Sequence, residues 1–207
     1  MKLGNKLKPA TPPMDAGTYV GICIGVVGLG EQETTFKGKT KYVDKVKFIF
    51  EIPDETIEVD GEQRPRQLSV DFSVARKSTS RIRQFINTWR SKTLTDEEYS
   101  ELELYDFIGQ NAMLSVVHSE DGQYANIASA VQLPKGIPSR QATAAPITFD
   151  ADEWDDETFQ TLPEYLQERL QKSTQYKNRH LPDQEVSVEA ASQEAAEDAD
   201  SEGRCPF

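Results

Sequence analysis

Hydrophobic and polar positions alternate through much of the first half of the chain, and this period of two predicts β-strands. Within residues 42–52 the apolar side chains fall on every second position, at Val46, Phe48, Phe50 and Ile52. Lys45, Lys47 and Glu51 belong to the other face, so the strand is predicted to bury one face and expose the other. Residues 17–29 are rich in β-branched side chains but contain three glycines, which predicts a strand with bends or bulges.

A predicted hairpin arm follows. Pro53 is predicted to end the first alternating strand, because proline cannot donate to a strand ladder. Residues 55–59 and 66–74 then flank Asp60-Gly61, a dipeptide that favours a tight turn between two strands. Alternation in residues 66–74 predicts that this third strand also buries one face.

The period then changes, which predicts a helical section. Apolar side chains recur at helical spacing at Ile82, Phe85, Ile86 and Trp89. Thr95 and Glu98 have the spacing of a capping box, which predicts the start of a second short helix. Residues 112–118 and 124–133 return to strand patterns on either side of a turn, so the predicted order is three strands, a helical section and two strands.

This order predicts a mainly β fold, an OB-fold-like five-stranded barrel with a helical section between strands 3 and 4. The barrel is assigned to residues 15–136 and is preceded by a flexible arm, residues 1–14. Residues 137–181 are interpreted as a linker with one short helix, and residues 182–207 as a disordered acidic tail.

Composition agrees with a folded part and an unfolded part. Only 37% of the 207 residues are hydrophobic, and the net charge is -12. Residues 141–207 hold 16 acidic and 5 basic residues, whereas residues 1–90 hold 15 basic and 11 acidic residues. The basic and acidic regions are therefore expected to meet different partners.

Several classes of protein are not supported by the sequence. No run of 18 apolar residues is present, and the first residues lack the apolar stretch of a secretory signal. Two cysteines do not suggest a disulfide scaffold, so a reducing compartment is the expectation. Sequence motifs of zinc sites, P-loops and serine hydrolases are absent, although a site built only from carboxylates stays open.

Cations interleaved with aromatic side chains favour single-stranded nucleic acid, because lysine and arginine follow the phosphates while aromatic rings stack on bases. The candidate DNA-binding residues are Phe36, Lys37, Lys39, Lys41, Tyr42, Lys45, Lys47, Arg64, Arg66, Arg76, Lys77 and Tyr124. The alternative for the lysines is a solvated strand face, since lysine also protects exposed sheet edges. For Phe36 and Tyr42, stacking on bases and burial in the core are both open at this point.

The C-terminal sequence EAAEDADSEGRCPF resembles the tail of bacterial single-stranded DNA-binding proteins, which is acidic and ends in Pro-Phe. Residues 104–133 and 159–176 resemble segments of a bacteriophage single-stranded DNA-binding family. The resemblance implies that the tail binds partner proteins. The residues assigned to this role are Asp198, Asp200, Glu202, Pro206 and Phe207.

The prediction is a single-stranded DNA-binding protein of phage replication or recombination. It would coat DNA without sequence readout and recruit host or phage proteins through its tail, in the cytoplasm of a bacterial host. No enzymatic activity, cofactor, metal or membrane is predicted, and a homo-oligomer is left open. Two alternatives remain: a carboxylate-based, metal-dependent nuclease or junction resolvase, and an adaptor that binds only proteins.

Overall fold

A computed structural model describes residues 12–36, 38–59, 61–75 and 77–180. The strands are β1 (Gly17–Phe36), β2 (Lys39–Val59), β3 (Glu62–Ser73), β4 (Asn111–His118), β5 (Ala125–Gln132) and β6 (Ile147–Asp150). The helices are α1 (Arg81–Arg90), α2 (Asp96–Ser100), a short 3-10 helix (Leu104–Phe107), α3 (Asp156–Thr161), α4 (Glu164–Leu170) and α5 (Thr174–His180). The mainly β character and the helical section between the third and fourth strands are confirmed.

The strands form one sheet in the order β3-β2-β1-β4-β5, and each neighbouring pair in this path is antiparallel. β6 lies off this path and pairs with β1 in parallel. In the described residues β3 and β5 are the two ends of an open sheet, and no strand ladder joins them. The closed five-stranded barrel predicted from the strand order is therefore not shown.

β1 bends as its glycines predict. The register against β2 shifts between Cys23 and Gly25 and again between Gly28 and Gly30, so β1 has an extra residue at each point. Gly30 has a positive φ of 66°, and a Cβ there would collide with the side chain of Gln175. The bends let the first part of β1 pair with β4 while its middle part pairs with β6.

The first core fills the space between one face of the sheet and α1. Phe48 and Phe50 of β2 are fully buried there and contact the rings of Phe85 and Trp89 on α1. The Trp89 indole also donates a hydrogen bond of 3.1 Å to the carbonyl of Asn111. The period-two and helical patterns thus identified the residues that meet in this core.

β2 does not end at Pro53, contrary to the sequence prediction. It continues to Val59, and the ladder with β3 is interrupted only between Ile52 and Thr56. Pro65 of β3 lies opposite Thr56, so prolines from both strands sit at this irregularity. A proline can occupy such a position because it needs no ladder hydrogen bond there.

The segment predicted as a linker with one short helix contains a strand and three helices instead. Its apolar residues form a second core on the other face of the sheet, where Leu166 and Leu170 are fully buried. The sheet contributes Ile24, Val27, Leu29 and Ile49 to this core. The face of β1 and β2 that lies opposite the first core is therefore partly covered by residues 147–170. This packing fixes the position of α4 on the sheet.

Candidate nucleic-acid interface

The lysines of β2 lie on one face of the strand. Residues 39–52 of β2 alternate regularly between the two faces of the sheet, because both extra residues in the β1–β2 ladder belong to β1. Val46 and Phe48 point into the first core, so the odd-numbered positions face the opposite, outer side of the sheet. We define the basic face as the four lysines at these positions, Lys39, Lys41, Lys45 and Lys47.

Three of the four lysines make no ion pair with any described residue. Lys39 is exposed, and Lys41 and Lys45 are half-buried along the hairpin that joins β1 to β2. Lys47 differs because its ammonium group lies 2.5 Å from the carboxylate of Asp71, and its side chain is 13% exposed. A phosphate can therefore approach the first three lysines directly, whereas it must compete with Asp71 for Lys47.

The opposite face of the same hairpin is acidic. In the strand register Glu31 lies opposite Asp44 and Glu33 lies opposite Tyr42, so these four side chains share a face. Burial raises the pKa of Asp44 to about 6, with further contributions from the negative charges of Asp152, Asp150 and Glu31. The hairpin thus separates a surface that attracts a polyanion from one that repels it.

The two faces of the hairpin decide which of the predicted aromatic residues, Tyr42 and Phe36, belongs with the lysines. Tyr42 is adjacent to Lys41 in sequence but lies on the acidic face, away from the lysines. Phe36 is the last residue of β1, and its backbone pairs with Lys39 at the hairpin tip. Lys37 lies outside the described residues.

The second predicted basic cluster is not on the basic face. Arg64 and Arg66 lie at even positions of β3, together with Leu68 of the first core, and so point to the opposite side of the sheet from Lys45. Arg64 forms a 2.5 Å ion pair with Glu62, and Arg66 donates to the carbonyl of Pro12. Lys77 is exposed after β3, and Arg76 lies outside the described residues.

Tyr124 is also separate from the lysines. It is 64% exposed at the turn between β4 and β5, where its amide donates to the hydroxyl of Ser119. β4 pairs with the beginning of β1, whereas the hairpin tip lies at the end of that strand. The structure therefore places Tyr124 and the exposed lysines near opposite ends of β1.

One cation next to the basic face was missed by the sequence analysis. Arg169 of α4 lies 3.7 Å from the second carboxylate oxygen of Asp71, so Asp71 has a cation on two sides. The sequence predicted a short helix within residues 137–181, but the pairing of a residue at position 71 with one at position 169 has no local signal.

In the acidic run of residues 150–157, two carboxylates stabilise the local helices. The Asp155 carboxylate accepts the amide of Thr158 and caps α3, and Asp156 pairs with Arg179 of α5. Among the described residues, no group of three or more His, Cys, Asp or Glu side chains is arranged to hold a metal ion.

No protein family model, curated protein or solved structure matches this chain. In the part of the chain that the structure describes, no helix has both the length and the apolar character needed to cross a membrane.

Proposed function

We propose that this protein binds single-stranded DNA without base preference through the basic face of its β1–β2 hairpin. The observation that carries the proposal is the row of three lysines that form no ion pair with any residue the structure describes, Lys39, Lys41 and Lys45. Alternate residues of a strand are about 6.6 Å apart, so Lys41 lies about that far from Lys39 and about twice as far from Lys45, and the row presents positive charges along an extended line. Such a line can follow the backbone of an extended nucleic acid strand.

The charge arrangement supports binding of the backbone rather than reading of bases. Phosphate contacts fix the position of a nucleic acid but carry no sequence information. The acidic face of Glu31, Glu33 and Asp44 restricts a polyanion to one side of the hairpin. Phe36, whose backbone pairs with Lys39 at the hairpin tip, is the proposed stacking residue, since an aromatic ring accepts any base.

The order of strands supports an OB-like architecture, in which the second and third strands and the adjoining loops bind oligonucleotides. The phage role, in replication or recombination inside a bacterial host, follows from the sequence resemblance and is part of the same proposal. Recruitment of partner proteins by the tail is also part of the proposal. The tail residues assigned to this role lie outside the described residues; they are Asp198, Asp200, Glu202, Pro206 and Phe207.

The test is a titration of labelled single-stranded and duplex DNA of mixed sequence. We expect the wild type to prefer the single strand, and the triple variant K39A/K41A/K45A to lose affinity for every sequence alike. The control K92A/K135A/K172A removes three cations away from the hairpin and should retain most of the affinity. The proposal is wrong if the two triple variants behave alike or if duplex binds equally well.

The same titration separates the alternatives. Cleavage of the DNA that depends on added divalent metal would indicate a nuclease. The absence of any DNA binding would favour an adaptor that binds only proteins.

A further inference from the structure

An exposed tyrosine and an arginine of α4 adjoin the outer face of β3. Tyr165 and Arg169 are four residues apart in one helix and therefore lie on the same side of it. Tyr165 is 50% exposed, and the Arg169 side chain is 37% exposed. The opposite side of α4 is fixed, because Leu166 and Leu170 are fully buried in the second core.

Asp71 connects this side of α4 to the basic face. Its carboxylate lies between the Lys47 ammonium group, at 2.5 Å, and the Arg169 guanidinium, at 3.7 Å. The pKa of the Tyr165 hydroxyl is raised, mainly by burial and further by the negative charge of Asp71. The Asp71 carboxylate thus stands between two cations, one of them on the same side of α4 as Tyr165.

The hydrogen-bonding capacity of Arg169 is not exhausted by these contacts. Its Nε is buried without a hydrogen-bond partner, and 3.7 Å to Asp71 is longer than a direct hydrogen bond. Its carbonyl accepts a 3.3 Å hydrogen bond from the side chain of Gln32, which anchors the end of the helix to β1. The guanidinium therefore has unused donors on a backbone that is held in place.

The outer face of β3 between α4 and the lysines is polar. Ser69 and Ser73 are exposed on the outer face of β3, and Ser73 lies opposite Lys45 in the strand register. Lys47 and Asp71 lie on the same face, and the Lys47 ammonium group also donates to the Ser69 hydroxyl at 3.3 Å. A surface that carries cations and has an aromatic side chain on the adjoining helix has the components that bind a single nucleic acid strand.

We infer that α4 forms the second wall of the DNA-binding surface, with Tyr165 stacking on a base and Arg169 binding a phosphate that displaces Asp71. This inference rests on the proposed function. Asp71 is then an internal competitor: its carboxylate occupies the position between two cations that a phosphate takes in the complex. Binding exchanges one anion for another, so Asp71 weakens binding while keeping Lys47 and Arg169 paired in the free protein.

Four variants test the inference in the full-length protein. Asp71→Asn should tighten binding of single-stranded DNA several-fold, whereas Arg169→Gln should weaken it and make the salt dependence shallower by about 0.7. Tyr165→Ala should weaken binding by roughly 5- to 150-fold, and Tyr165→Phe should restore most of it because stacking needs only the ring. Thermal unfolding of each variant verifies that the fold is retained.

Matched controls remove the same side-chain types elsewhere. Lys135→Ala deletes an exposed cation that follows β5, and Tyr105→Ala deletes a tyrosine that is 42% exposed within the 3-10 helix. Both should bind DNA as the wild type does.

The outcomes distinguish this inference from the proposed function. If K39A/K41A/K45A loses affinity while the Tyr165 and Arg169 variants match their controls, the α4 wall is refuted and the proposed function stands. Unchanged or weaker binding by Asp71→Asn refutes the competitor role. If the wild type does not bind single-stranded DNA, both the function and the inference are wrong.

Discussion

Replacing Glu51 is predicted to loosen the segment that connects β5 to β6. Glu51 of β2 is 1% exposed on the outer face of the sheet. Its two carboxylate oxygens accept the backbone amides of Thr143 and Ala144 at 2.8 and 2.9 Å, and both accept the Thr143 hydroxyl at 3.1 Å. This buried carboxylate therefore fixes the chain just before β6, at the entrance to the second core.

The magnitude follows from these contacts. A hydrogen bond to a charged acceptor contributes about 1.5–3 kcal/mol, and a buried donor without a partner costs about 1–3 kcal/mol. Removing the desolvation of the carboxylate offsets part of this loss. For Glu51→Gln, which keeps the shape but turns an amide group toward a backbone donor, we expect the free energy of unfolding to fall by about 3 kcal/mol.

Asp54→Asn is the matched control. The Asp54 carboxylate lies 2.9 Å from the guanidinium of Arg140, which belongs to the same segment. The side chains of Asp54 and Arg140 are 55% and 34% exposed. Exposed ion pairs contribute about 0–1 kcal/mol, so this variant should be nearly as stable as the wild type.

Urea unfolding measured by tryptophan fluorescence provides the assay. The chain has two tryptophans, and Trp89 lies in the first core whereas Trp154 packs against the second. In a Trp89→Phe background the signal comes from Trp154 and reports on the second core, against which Ala144 of the segment held by Glu51 also packs. A loss for Glu51→Gln as small as that for Asp54→Asn would refute the reasoning.

Three further predictions concern stability and the tail. Asp44→Asn should raise the melting temperature at pH 7.5 but not near pH 3.5. The reason is that the folded protein holds the Asp44 proton up to a pKa of about 6, so the stability of the wild type falls as the pH rises from about 4 to about 6. An equal effect of the substitution at both pH values would contradict this prediction. Leu166→Ala, at a fully buried position, should cost about 2–5 kcal/mol in urea unfolding, and a cost like that of the exposed Glu168→Ala would show that the second core is not formed. Deleting only Phe207 should abolish recovery of bacterial replication or repair proteins in a pull-down, since one aromatic anchor is expected to dominate the binding energy; identical recovery would leave the tail a solubility role.

The first core could be predicted because its signals are local. The alternation in β2 identified Phe48 and Phe50 as buried. The capping box is also present: the Thr95 hydroxyl accepts the amide of Glu98, and the Glu98 carboxylate accepts the amide of Thr95. Each of these patterns depends on neighbours within about four residues, so the sequence alone carries it.

The second core could not be predicted in the same way. β6 has only four residues and obtains its pairing from Gly25–Gly28 of β1, more than 100 residues earlier in the chain. One signal was present in β2, where Ile49 is an apolar residue at a position of the polar face. Its burial against α4 and its neighbours explains this exception to the alternation.

Only part of the candidate site could be predicted, because only the lysines follow from a local sequence pattern. The lysines were found because strand alternation places them on one face. Tyr42 was grouped with them by sequence adjacency, although adjacent residues of a strand point to opposite faces. The approach of Arg169 to Asp71 depends on how α4 packs on the sheet and has no counterpart in the local sequence.

The most direct test of the central claim is the salt dependence of single-stranded DNA binding, measured by fluorescence anisotropy for the wild type and for K39A/K41A/K45A. Each phosphate neutralised on a single strand contributes about -0.7 to the slope of log affinity against log salt concentration. Loss of three such contacts should make the slope shallower by about 2, and K92A/K135A/K172A should keep the wild-type slope. An unchanged slope in K39A/K41A/K45A would contradict the assignment of the basic face as the DNA-binding surface.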